Sequence, residues 1–166
     1  MSSRRDFFKR IGEGVAKAKE AKPLYLRPPY NNDRELFDKE CIECESKACA
    51  LSCDENIIII EAQGTPILNF SNSGCTFCQD CANACEREVL KLESTQEKIN
   101  ATFLINKSSC LAHNGGVCFS CKEPCIDNAI LFKGLFNPII DIDTCTSCGF
   151  CLSRCPTGAI EYIINQ

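Results

Sequence analysis

Sixteen cysteines in 166 residues constrain this chain more than any other feature, because they fall into four groups of four with none left over. Cys41, Cys44, Cys49 and Cys53 form the first group, and Cys75, Cys78, Cys81 and Cys85 the second. Cys110, Cys118, Cys121 and Cys125 form the third, and Cys145, Cys148, Cys151 and Cys155 the fourth. The second group reads C-x2-C-x2-C-x3-C, and the fourth repeats that spacing with Pro156 behind it. This is a run that binds a [4Fe–4S] cube, in which each iron takes one terminal thiolate. The tight segment can wrap three corners of a cube, while the last cysteine, about a helical turn further on, faces elsewhere. Four such groups imply four cubes.

Other uses of cysteine fit less well. Disulfide scaffolds belong to short secreted chains, and cysteines this close together pair poorly within a group. A zinc ribbon uses two C-x2-C pairs and four ligands in a tetrahedron, which would leave the C-x3-C cysteines without a regular role. Redox dithiols show an isolated C-x-x-C beside a βαβ pattern. The first and third groups are variants with spacers enlarged to Glu45–Ala48 and Leu111–Val117. Extra residues that loop outward still let four thiolates reach one cube, and Gly115-Gly116 supplies backbone freedom for that. The third site is the one that admits a three-iron cluster as an alternative.

The chain has no Trp and one Met, so a conventional apolar core is thin. At this module size metal commonly supplies the missing stability, and folding is expected to depend on it. Residues 1–22 carry seven Lys/Arg against three Asp/Glu, whereas 23–166 carry eleven against nineteen. The acidic body disfavours nucleic acid and suits a basic partner surface. Runs such as Ile57–Ile60 fall far short of the ~20 apolar residues that span a bilayer. Cysteines used for clusters instead of disulfides fit a reducing cytoplasm.

Each quartet sits in one local grammar, with a β-prone segment leading in, a cysteine loop entering a one-turn helix, and a second β-prone segment leading out. The β-prone pairs are Ile57–Glu61 with Pro66–Phe70, Glu88–Leu92 with Ala101–Ile105, and Ala129–Phe132 with Pro138–Ile142. Each pair reads as a hairpin, and Ala159–Ile163 adds a last strand. The repeat is the α+β pattern of two-cluster ferredoxins, doubled. We therefore expect tandem two-[4Fe–4S] modules over 35–99 and 100–166 behind a flexible basic arm and linker, 1–34. In such modules the last cysteine of each run ligates the other cluster. Shorter intervals favour crossing quartet one with two and three with four, although a nested pairing uses the same sixteen ligands.

Ser3-Arg4-Arg5-Asp6-Phe7-Phe8-Lys9 matches a twin-arginine export motif, but the charged stretch after it is not the apolar core that export requires. Arg27-Pro28-Pro29-Tyr30 reads as a stiff spacer. His113 reads as a solvated loop residue, since sixteen thiolates already satisfy four cubes. No nucleophile–base pair, phosphate-cradling glycine loop or distinct acid/base carboxylate set stands out, so catalytic residues are not expected.

These features together resemble the NapF-type ferredoxin-like accessories of the periplasmic nitrate reductase system. The resemblance rests on the Ser3-Arg4-Arg5 start, on Arg27-Pro28-Pro29, on Cys75-Thr-Phe-Cys78-Gln-Asp-Cys81, and on Cys110-Leu-Ala-His113 opening the stretched quartet. Cys145-Thr-Ser-Cys148-Gly-Phe-Cys151 with Cys155-Pro156-Thr157-Gly158-Ala159-Ile160 completes it. The x4 spacer of quartet one and Tyr30, where the family usually carries Trp, depart from it. The resemblance implies a cytoplasmic iron–sulfur protein that helps mature the catalytic molybdenum-containing nitrate reductase subunit, met as its cytoplasmic precursor. The residues alone stop at a soluble four-cluster electron carrier or assembly factor, with a general electron-transfer subunit as the alternative.

Overall fold

A computed structural model describes residues 24–31, 33–92 and 97–165. The basic arm expected over 1–22, with its twin-arginine-like motif, lies outside them. Among the described residues, helices are single turns and strands pair two by two. Helix α1 (Arg34–Leu36) runs into a π-turn, Phe37–Cys41, and Asp33 caps it by accepting from the Glu35 and Leu36 amides. Helix α2 is Ala48–Leu51, α3 is Asp80–Asn83 and α4 is Phe150–Ser153. The strands are β1 (Ile58–Ile60), β2 (Pro66–Leu68), β3 (Ala101–Ile105), β4 (Ile130–Lys133), β5 (Phe136–Ile140) and β6 (Ile160–Ile164).

Two of the expected hairpins form. β1 pairs antiparallel with β2, Ile58 opposite Leu68, around a turn in which Gly64 takes φ +88. β4 pairs with β5 across a bulge at Leu131–Lys133. β-Branched residues favour such half-buried ladders, and Ile58 is buried while Ile59 faces out.

The middle hairpin does not form. Glu88–Leu92 is not a strand, and β3 instead pairs with β6 from Ala101 opposite Ile164 to Ile105 opposite Ile160. The reason lies in where the 88–92 backbone spends its hydrogen bonds. Glu88 is left-handed at φ +51. The Leu90 N–H donates to Cys85 Sγ and the Lys91 N–H to the Tyr30 carbonyl, while Val89 O accepts from the Asn31 amide.

Arg27–Tyr30 also differs from a spacer. Pro28, Pro29 and Tyr30 are buried. The Arg27 guanidinium donates to Thr65 Oγ1, Pro66 O and Asp38 Oδ1. One apolar cluster, including Phe37, Ile57, Leu68, Phe70, Ile99, Phe103, Ile130 and Ile160, runs through both halves, and Cys41, Cys81, Cys121 and Cys151 belong to it. The halves touch where glycine permits. A Cβ on Gly74 would lie 2.5 Å from Phe150 N and 2.8 Å from Cys148 O, and one on Gly149 would lie 2.4 Å from the Phe70 ring.

Candidate metal centres

The quartets share a backbone device that their sequences hardly advertise. The residue three positions after the last cysteine is left-handed in all four: Asn56, Glu88, Asn128 and Gly158, at φ between 51 and 61. Each donates its N–H to that cysteine's carbonyl. The turn reverses the chain just after the thiolate. A second left-handed residue, Lys47, Gln79 or Gly149, precedes α2, α3 and α4 and aims the third cysteine of its group inward.

Quartet three lacks the expected helix. The residue before its last cysteine is Pro124, where Ser52 and Ala84 close α2 and α3 by donating to Ala48 O and Asp80 O. Proline has no N–H to do so, and 120–124 remains a turn. Its stretched spacer winds into a 3-10 turn, Leu111–Asn114, ended by left-handed Gly115. The Asn114 side chain pins that turn to the carbonyls of Lys107, Ser108 and Cys110. His113 is not simply solvated, because its Nε2 lies 2.9 Å from Pro138 O. A carbonyl only accepts, so Nε2 carries the proton.

Tertiary structure brings the cysteines together in crossed sets. Burial, then the fields of Cys49, Cys85 and Cys44, pushes the Cys41 thiol up to about 11. Cys49 is pushed to about 11 by burial, Cys85 and Cys44. Cys81 goes up to about 12 through burial, Cys75, Cys78 and Cys53. In the second half, burial, then Cys110, Cys118 and Cys155, raises Cys121 to about 11, against its own backbone amide. Cys151 is driven up by burial and then by Cys148, Cys145, Cys121 and Cys125. Cys85 thus lies beside Cys41 and Cys49, to which Cys44 is also close, and Cys53 beside Cys75, Cys78 and Cys81. Cys155 and Cys125 exchange places in the same way.

Two of these sets surround a cavity. Cys53, Cys75, Cys78 and Cys81 line one of about 230 Å3, with Tyr30 in its wall. Cys110, Cys118, Cys121 and Cys155 line a smaller one of about 20 Å3. The buried thiols Cys41, Cys81, Cys121 and Cys151, one in each set, hold their protons when free, so a strongly positive guest is what would keep them as thiolates. Among the described residues, no three His, Cys, Asp or Glu side chains converge as a single metal ion requires. A cube presents its irons at separate corners, so its ligands need not meet at one point.

Fixed donors point at the sulfurs. Backbone N–H groups of Phe77, Leu90, Ser147 and Ala159 donate to Cys75, Cys85, Cys145 and Cys155, at 3.4, 3.4, 3.4 and 3.1 Å. Cys44 sits 3.6 Å from Ser46 Oγ. Its burial would raise the thiol, but the Ser46 hydroxyl and the Lys47 amide and ammonium outweigh that and lower it. The Lys47 ammonium donates to Cys41 O and Gly64 O at 2.5 and 2.7 Å, so the enlarged spacer of quartet one carries a cation to its site. Asp127 instead adds a negative field at Cys148. Sequence reasoning missed Lys47 and Tyr30; the only signals were the enlarged spacer and the departure from Trp.

Comparison with known proteins agrees with this chemistry. The 4Fe-4S binding domain family matches residues 138–161. The ferredoxin-type protein NapF of Escherichia coli strain K12 is 34% identical over 144 residues, covering 83% of this chain and 85% of that one. NapF of Haemophilus influenzae is 32% identical over 140 residues, covering 81% and 77%. The methylamine utilization ferredoxin-type protein MauM of Methylophilus methylotrophus is 28% identical over 166 residues, covering 87% and 73%. Cysteine sets, α+β architecture and kinship together define a ferredoxin-type protein that binds 4Fe–4S clusters. Within that class, the chain belongs to the NapF-type ferredoxin family. No helix among the described residues is long and apolar enough to cross a membrane.

Proposed function

We propose that this chain is a cytoplasmic carrier of four [4Fe–4S] cubes that assists maturation of the catalytic molybdenum-containing subunit of periplasmic nitrate reductase before export. The observation that carries the four-cube reading is the crossing of the cysteines. Cube A would take Cys41, Cys44, Cys49 and Cys85, and cube B would take Cys53, Cys75, Cys78 and Cys81. Cube C would take Cys110, Cys118, Cys121 and Cys155, and cube D would take Cys125, Cys145, Cys148 and Cys151. This makes 35–99, with residues 26–31 packed into it, and 100–166 two-cluster modules behind the basic arm. Bound cubes supply one-electron transfer. The chain's own residues hold the irons through thiolates, stabilise sulfur charge with the four backbone donors, and exclude water with the apolar cluster. Kinship with NapF supports the client, and the basic arm offers an acidic protein its one contrasting contact.

A second reading, a general electron-transfer subunit between a donor enzyme and a reductase, draws on the order of the sites. Cys49 of site A lies in the field that acts on Cys81 of site B. The Cys75 N–H of site B donates to Cys148 O of site D at 2.7 Å. Cys121 of site C acts on Cys151 of site D. The sites therefore run A, B, D, C, as a wire would.

Two measurements on anaerobically purified protein separate these ideas. Iron and labile sulfide should approach about sixteen each per chain, and Cys85→Ser should remove the signal of a cube whose other ligands all lie in quartet one. Mainly zinc, or iron near half that value, would sink the four-cube reading. Recovery of the nitrate reductase catalytic subunit by tagged bait should fall when residues 1–22 are deleted, with iron unchanged. Equal recovery would leave the arm a bland tail, and recovery of redox enzymes without the nitrate reductase subunit would favour the wire.

A further inference from the structure

Among the described residues, Tyr30 alone has a buried side-chain oxygen or nitrogen with no hydrogen-bond partner. The residue is 3% exposed and lines the cavity that Cys53, Cys75, Cys78 and Cys81 surround. A buried hydroxyl without a partner is costly, and native structures seldom leave one. The backbone is unusual as well. Tyr30 holds φ +75, a left-handed conformation that bulky residues avoid.

Several contacts hold it there. Buried Pro28 and Pro29 precede it, the Lys91 N–H donates to its carbonyl, and the next residue, Asn31, is tied to Val89 O. Strain kept up by such contacts points to a role for the side chain. Among the described residues, none accepts the phenolic proton. The Gln79 amide faces the oxygen without reaching hydrogen-bond geometry, and as a donor it could not take the proton in any case. Glu55, also in the cavity wall, is engaged by the Ser73 hydroxyl. At neutral pH a phenol keeps its proton.

We propose that Tyr30 donates this hydrogen bond to the cluster held by Cys53, Cys75, Cys78 and Cys81, and so raises that cluster's reduction potential above what the thiolates and backbone amides set. The inference rests on the four-cube reading. Its physical basis is that a donor aimed at sulfur stabilises the more negative, reduced state most. The hydroxyl would thus make site B, which abuts site D, a favoured resting place for an electron between the two halves.

The test uses full-length holoprotein, reduced stepwise with dithionite and followed by EPR, with iron and sulfide assayed on every sample. Tyr30→Phe removes the hydroxyl and keeps the ring. One cluster potential should fall until about tenfold less of that cluster is reduced at a given poise, which is about 59 mV for a one-electron couple. The other potentials should stay put, and an exchangeable proton coupled to that reduced cluster should vanish from the ENDOR spectrum. Replacing Tyr30 by a ring-fluorinated tyrosine, a stronger donor of the same shape, should shift the same potential upward. This second variant decides the matter if Tyr30→Phe holds less iron. Unchanged potentials at full iron content, or a downward shift with the fluorinated ring, would overturn the role of Tyr30. A deficit of iron in the unaltered protein would overturn the four-cube reading instead.

Discussion

Strand β3 closes the second half of the molecule by pairing with β6 over five residues, whereas the segment in the same place in the first half makes no strand. Residues 26–31 lie against 89–91 through the Lys91–Tyr30 backbone bond and the Asn31 side chain. Two prolines explain the difference, since neither has an N–H to give to a ladder. The first half is held instead by side chains, with Arg27 spanning Thr65, Pro66 and Asp38 and its guanidinium lying over the Phe37 ring. In exchange, the irregular segment can turn Tyr30 into the cavity, which a strand alternating its side chains at φ near −140° could not do. One topology thus serves as a ladder in one half and as a functional wall in the other.

The largest effect should come from removing the clusters. Stripping the protein with chelator and oxidant should abolish its cooperative thermal transition. Hydrogen exchange during partial loss should show protection vanishing from 24–92 before 97–165, because side-chain closures open more readily than a five-residue ladder. Loss in the opposite order, or a sharp transition in the apoprotein, would break the comparison.

Gly74→Ala should come next. Its Cβ has no room against the backbone of Cys148 and Phe150, and overpacking of this kind costs about 1–3 kcal/mol. Calorimetry should show both halves destabilised together; a shift confined to one half would mean they are not mechanically coupled at this contact.

A smaller effect distinguishes the closures directly. Asn31→Ala leaves the carbonyl of buried Val89 without its 2.5 Å partner, at about 1–3 kcal/mol. Thr102→Val removes a part-buried hydroxyl bond to Asn165 on the ladder side and should stay within about 0.5 kcal/mol. Equal losses in denaturant titration would show that the first half gains no more from this one side chain than the second does from its own.

Most hairpins were legible beforehand. Ile58–Ile60 and Ile130–Lys133 are β-branched or apolar runs next to glycine-bearing turns, and those signals are local. Glu88–Leu92 looked just as strand-like, yet its partner is a proline-bearing segment that reads as a spacer, and no local pattern reveals that pairing. The left-handed turn after each quartet was half legible. Asn56, Asn128 and Gly158 are residue types that tolerate positive φ, while Glu88 is not. The missing helix of quartet three was written in Pro124, and only comparison with the other three quartets exposes it.

What the sequence by itself determined is the number, kind and spacing of the candidate ligands. A thiolate's reach along the chain is limited to a few residues' length, so spacing marks out the first three cysteines of each group as able to share a guest and leaves the fourth open. Which last cysteine lies beside which triad is only favoured by the shorter intervals, with a nested arrangement open, and tertiary structure decided it. Tertiary structure also decided the left-handed aim of Tyr30 into its cavity and the contact of Cys75 with Cys148. These meetings join residues tens of positions apart, and loop closure changes so slowly with length that spacing hardly separates one long-range partner from another. Only the packing of Phe70, Gly74, Gly149 and the strands around them decides it.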